Sequence, residues 1–269
     1  MRSNFFLSVL MGFSILLLAA CGGEPQNTSD NTDGAQKPEP PKVEIKLADF
    51  PPSPGYPDAK LELVSYKDGV FNFKVSNYEL KAQTSDAPQK MCANSGKGQH
   101  IHLIIDNKPY AAKYESSFEY EVPDGEHYVL AFLSRSYHES IKTPDAHVAF
   151  KGVFKNNSLE SKSPIEGPML FYSRPKGTYV GRANTDKLML DFYLINTTLA
   201  PDGNQVKALL NGETEFVLDA WKPVFLTGMP MGENKIQLTL IDKEGKKVDA
   251  PLNPVERVFK LQADPAEEM

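Results

Sequence analysis

The chain has 269 residues, 29 Lys and Arg against 35 Asp and Glu, a net charge of −6, and all five of its histidines between residues 100 and 147. An acidic balance with no basic block excludes nucleic acid and anionic lipid surfaces as partners. No Gly-x-Ser-x-Gly elbow, His-Glu-x-x-His helix or phosphate-cradling glycine loop occurs, so the motifs of hydrolases, metalloproteases and nucleotide-binding enzymes are missing and a non-catalytic protein is expected.

Residues 1–20 open with Arg2 and continue as an apolar run from Phe5 to Leu18, broken only by Ser8, Gly12 and Ser14. That is a secretory signal core, too short to span a bilayer comfortably. Leu18-Ala19-Ala20-Cys21 resembles the lipobox of bacterial lipoproteins at every position. The resemblance implies cleavage before Cys21, lipidation of its sulfur and attachment to a membrane of the cell envelope. Gly22, in place of an inner-membrane retention aspartate, favours the outer membrane. Residues 21–57 hold eight of the 21 prolines and almost no apolar side chain before Val43, the composition of a flexible tether. With Cys21 acylated, Cys92 has no partner for an intramolecular disulfide. A lone thiol in an oxidising compartment is buried, metal-bound, reactive or paired between chains.

From residue 58 onward the pattern has period two: Phe71, Phe73 and Val75 alternate with Asn72, Lys74 and Ser76, and Leu188, Leu190, Phe192 and Leu194 repeat it later. Turn signals follow at short intervals, among them Asp68-Gly69, Asp106-Asn107, Asn211-Gly212 and Glu244-Gly245, and no long amphipathic helix is present. The expected fold is all-β: two tandem antiparallel β-sandwiches of immunoglobulin-like or cupredoxin-like shape, at 58–156 and 165–263. The joint is expected in the polar stretch between Asn156 and Pro168.

The two halves align as a repeat. Phe71–Leu80 matches Leu190–Leu199, Gly98–Ile105 matches Gly203–Leu210, and Asp124–Ala131 matches Met231–Leu238. His100, His102 and His127 then face Gln205, Lys207 and Asn234. Scaffold needs are common to both halves, so residues found in one alone are candidates for function. The offset falls from 119 residues at Phe71 to 105 at Gly98, which gives the first half 14 extra residues containing Met91 and Cys92.

Parity places Ile101, Leu103 and Ile105 on the core face and His100 and His102 outward. It also turns Leu130 and Phe132 outward, where the second half has Gln237 and Thr239. An outward apolar pair needs a cover; the insertion is the nearest candidate and would bring Met91 and Cys92 over the histidines. His-x-His on a strand sets two imidazoles on one face, close enough to share a cation. Cys92, Met91 and His138 would complete a sulfur and imidazole set suited to copper or zinc. As an alternative, the surface around Leu130 and Phe132 would meet an envelope protein or glycan.

Two further likenesses concern short motifs. Tyr179–Asp186 resembles the Gly-Arg strand of forkhead-associated domains, and Leu133-Ser-Arg-Ser-Tyr-His138 resembles their Ser-Arg-x-His loop with one residue added, in reverse chain order. This resemblance implies phosphopeptide binding by Arg135, His138 and Lys142. Gly98-Gln-His-Ile-His-Leu-Ile-Ile-Asp106 resembles the core of small exported β-domains of unknown function, which implies fold and compartment.

Overall fold

The computed structural model describes residues 44 to 267; the expected signal peptide, Cys21 and the expected tether up to residue 43 lie outside the described residues. Strand β1 (Lys46–Asp49) comes first. It is followed by β2 (Lys60–Lys67), β3 (Val70–Ser76), β4 (His100–Ile105), β5 (Ala111–Lys113), β6 (Ser117–Glu119), β7 (Gly125–Ser134), β8 (His147–Lys155) and β9 (Ser158–Ser163). The second half contributes β10 (Met169–Arg174), β11 (Gly177–Val180), β12 (Leu188–Ile195), β13 (Gln205–Leu210), β14 (Thr214–Leu218), β15 (Val224–Thr227), β16 (Gly232–Ile241) and β17 (Val255–Gln262).

Two sandwiches result. Sheet β2-β3-β6 packs on β5-β4-β7-β8-β9, and sheet β1-β15-β12-β10 packs on β11-β17-β16-β13-β14. Alternate residues fill each core: Phe71, Phe73, Ile101, Leu103, Val129 and Ala131 in the first, Leu190, Phe192, Val206, Ala208, Ile236 and Leu238 in the second. All strand pairs are antiparallel except β11 with β17. Tight turns occur where two successive residues take positive φ, at Asp68-Gly69, Asp106-Asn107 and Asn211-Gly212; Asp68-Gly69 is a two-residue hairpin, whose right-handed twist demands that conformation. The repeat extends to register: β4 pairs β7 with Ile101 opposite Leu133, and β13 pairs β16 with Val206 opposite Leu240.

Three expectations are corrected. Residues 46–49 are not tether but an edge strand, β1, paired with β15 of the second sandwich. The joint is shorter than the expected stretch from Asn156 to Pro168, because β9 belongs to the first sandwich and only residues 164–168 separate it from β10. Asn156 and Asn157 both have positive φ, which asparagine tolerates better than most residues, and they turn β8 back into β9. The outward pair Leu130 and Phe132 is covered by the second sandwich rather than by the insertion.

That cover is a third apolar cluster, in which Ile104, Tyr110, Leu130 and Phe132 pack against Ile165, Met169, Phe171, Tyr193 and Ile195. It accounts for strands β4, β10 and β12 being buried along their whole length: one face looks into the strand's own sandwich and the other into its neighbour. Asn107 joins the two directly. Its side chain donates to the Leu170 carbonyl and accepts from the Tyr172 amide, both at 2.8 Å, completing the backbone pairing of β10 at its edge. Among the described residues the two sandwiches form one compact unit.

Candidate metal centre between the sandwiches

His100 and His102 point away from the core of the first sandwich, as parity requires, but they are not exposed. Both have 0% of their surface accessible, because the outward face of β4 is the inter-sandwich interface. His138 reaches them from the turn after β7. Its backbone has φ of +72°, a conformation costly for a residue with a side chain and sustained only where surrounding contacts hold it.

Those contacts come from the 14-residue insertion. Ser95 donates its amide to the Ser136 carbonyl at 2.8 Å, while Thr84 and Ser136 exchange backbone-to-hydroxyl bonds at 3.2 and 2.9 Å. The Tyr137 hydroxyl donates to the Asp86 carboxylate at 3.1 Å. The insertion thus clamps the turn that carries His138. It returns to β4 through Gly98, whose φ is +82° and where an added Cβ would lie 2.1 Å from the Lys81 carbonyl oxygen. Only glycine fits there.

The Gly98 carbonyl also orients the site. It accepts the Nδ1 proton of His100 at 2.9 Å, so His100 Nε2 carries a lone pair. His102 Nε2 lies 2.8 Å from that atom and His138 Nδ1 lies 3.1 Å from it. One lone pair takes one good hydrogen bond, yet two further ring nitrogens converge on it. His102 Nδ1 is buried with no hydrogen-bond partner among the described residues. All three ligand atoms lie within 4.8 Å of one another. An ion bound at about 2.0–2.1 Å from each would hold them roughly 3.3–3.6 Å apart, so the two short separations from His100 need to open by about half an ångström.

Aromatic rings enclose the triad. Tyr110 stacks on His102 with centroids 3.6 Å apart, Phe132 meets His102 edge-on at 5.0 Å, and Tyr114 lies 4.9 Å from His100. Burial drives the His100 pKa down to about 4, with Arg174 and Lys176 adding to the effect against the Gly98 hydrogen bond. Burial likewise holds His102 and His138 well below the ordinary histidine range, helped by the neighbouring histidines and the same two cations. The three imidazoles are therefore neutral near pH 7, the state that coordinates metal.

The other expected ligands are elsewhere. Cys92 packs half-buried beside Ala87, Tyr137, Met189 and Phe225, and burial pushes its thiol up to about 11, which leaves it protonated and inert. Met91 follows the short turn Ala87–Lys90 and is 68% exposed. Neither belongs to the triad, because the insertion runs beside the His138 turn and not across the histidine face. Arg135, His138 and Lys142 do not form a phosphate site either. Arg135 binds Glu139 at 2.8 Å and the Pro54 carbonyl, Lys142 binds Asp191 at 2.8 Å, and His138 belongs to the triad.

His127 is scaffold. Its Nδ1 donates to Asp106 at 2.5 Å, and the sister pair Asn211 and Asn234 makes the equivalent side-chain bond at 2.9 Å. Residues missed from sequence include Tyr110, Arg174, Lys176 and Arg257. A signal existed for two of them: Met169–Arg174 is a nearly unbroken apolar run ending in a cation, the mark of a strand buried on both faces, and Arg257 falls on the inward parity of Val255, Phe259 and Leu261.

No protein-family model and no curated protein matches the chain. Among solved structures, the chain is similar to fibronectin(III)-like modules of CbhA from Clostridium thermocellum, with 12% identity, TM-score 0.27, and coverage of 82% of this chain and 95% of that one. It is also similar to the central fibronectin-III array of a RIM-binding protein, with 10% identity, TM-score 0.26, and coverage of 78% and 70%. A third is SGBP-B of the Bacteroides ovatus mixed-linkage glucan utilization locus, with 8% identity, TM-score 0.19, and coverage of 82% and 71%.

Proposed function

We propose that the chain is a non-catalytic, lipid-anchored protein of the cell envelope whose first sandwich binds one transition-metal ion, copper or zinc, through His100, His102 and His138. The observation that carries this reading is the convergence of three neutral ring nitrogens on one point, with His100 oriented by the Gly98 carbonyl. A backbone acceptor that fixes the tautomer of a ligating histidine is a recurrent second support of metal sites. With Cys92 and Met91 excluded, the donor set is all imidazole, which suits both copper and zinc. Arg174 and Lys176 bring positive charge toward the site. They disfavour a divalent ion more than a monovalent one, and so favour Cu(I) over Zn(II) in the absence of an accompanying anion.

Elemental analysis of untagged protein, followed by titration with buffered Cu(I) and Zn(II), tests the proposal. One ion per chain is expected, with the cuprous form bound more tightly. Failure to retain either metal at micromolar free concentration, in protein whose fold is intact by circular dichroism, would overturn it. Attachment through Cys21 is tested separately: Cys21→Ser should leave the protein unlabelled by radioactive fatty acid while wild type is labelled.

A further inference from the structure

Close to the triad, the second sandwich gathers positive charge with no acid to balance it. Arg174 ends β10, Lys176 follows it, and Arg257 occupies an inward position on β17. The two arginines are 6% and 5% exposed. Arg174 donates Nε to the Tyr179 hydroxyl at 3.2 Å, and the Lys176 ammonium lies 4.0 Å from the Tyr110 ring centroid. Arg257 donates Nη2 to the Asn107 carbonyl at 2.7 Å and lies 4.8 Å over the Tyr172 ring. Its Nη1 is buried without a partner among the described residues, as is the Tyr172 hydroxyl.

The other buried or half-buried cations singled out among the described residues are paired: Arg135 with Glu139, Lys142 with Asp191 and Lys90 with Asp86. Arg174, Lys176 and Arg257 have no ion pair among the described residues, and the charged groups acting on them include no carboxylate. Arg174 and Arg257 instead repel Lys176. Buried charge is ordinarily paired, since its desolvation is costly, and cation–π contacts offset only part of that cost. The missing partner is negative charge.

We propose that Arg174, Lys176 and Arg257 form a binding site for a small oxyanion of the phosphate, sulfate or carboxylate type, with the Tyr172 hydroxyl as a further donor. Guanidinium groups offer several N–H donors in a fixed plane, the geometry that suits oxyanions. The site adjoins the triad through Tyr110, which touches both His102 and Lys176.

The test uses full-length protein stripped of metal by chelator dialysis, so its outcome is independent of the metal reading. Thermal unfolding is followed against inorganic phosphate, sulfate and acetate, each compared with chloride at equal ionic strength. A saturable rise in Tm is expected for at least one oxyanion, growing with the logarithm of its concentration once the site is filled. Saturation by phosphate or sulfate alone identifies a tetrahedral anion, and saturation by acetate a carboxylate. Arg257→Gln should abolish the saturable rise and raise Tm in chloride, because an unpaired buried charge has been removed. Should that variant fail to fold, Lys176→Gln at a half-exposed position should weaken the apparent anion affinity about tenfold, the equivalent of one lost charge-assisted bond. A rise that is linear in salt and shared by the variants is general salt exclusion from the surface, and would overturn the proposal, as would curves identical to those in chloride.

Discussion

The first sandwich and its sister are built on one plan and differ at a few positions on one face. His100, His102 and Phe132 stand where the second sandwich has Gln205, Lys207 and Thr239, with matching strand register. The sister residues are polar because that face of the second sandwich lies on the other side from its neighbour. In the first sandwich the same face meets the back of β10 and β12, so apolar residues fill it and the histidines are desolvated among them. The difference shows how duplication makes a buried site: one copy's surface becomes an interior when the other copy packs on it.

The largest effect that should separate the two faces is packing. Phe132→Ala should cost about 3–5 kcal/mol by urea unfolding of metal-free protein, as for other large-to-small changes in a core. Thr239→Ala, also at a buried position, should cost less, about 1 kcal/mol, because far less apolar volume is removed. Equal losses at the two positions would break the comparison.

Acid is the next lever. His100, His102 and His138 have folded pKa values below the unfolded value of about 6.5, so the unfolded state binds more protons as pH falls. Stability is fully present above 6.5 and is lost going down, by about 1.4 kcal/mol per pH unit for each histidine until its folded pKa is reached, near 4 for His100. Three such groups predict a loss of about 3 kcal/mol between roughly pH 6.5 and 5.5 in metal-free protein. Chemical denaturation at each pH, repeated with His100→Gln and His102→Gln combined, should show the slope flattened by about two thirds.

Metal affinity follows. His102→Phe, or His138→Asn, which keeps a residue tolerant of positive φ, should lower affinity at least about a hundredfold, beyond the range seen for outer-shell partners. Cys92→Ser and Lys207→Ala should leave it unchanged within about twofold. A Cu(I) competition assay would decide, and loss of affinity with Cys92→Ser would restore the thiol to the site. The smallest expected effect is at His127. His127→Asn substitutes the sister's own residue and should cost under about 1 kcal/mol by thermal unfolding, in the range of one net hydrogen bond.

The strands, the tight turns and the duplication were legible in the sequence because they rest on local chemistry. Period-two alternation, glycine and asparagine at positive φ, and two segments with one register need no knowledge of distant residues. The pair His100 and His102 was legible for the same reason, since parity puts both on one face. His138 was named, but the convergence of its ring on theirs depends on the insertion bonding to Ser136, which follows Thr84 by 52 residues. The tertiary structure alone decided three things: that the histidine face is interior, that Cys92 and Met91 lie apart from it, and that Arg174 and Arg257 share the region with it. Burial depends on what packs against a face, and here the packing partners of β4 are two strands about 70 and 90 residues further along the chain. No periodicity within one half records that contact; only the apolar residues on both faces of β10 and β12 hint at it.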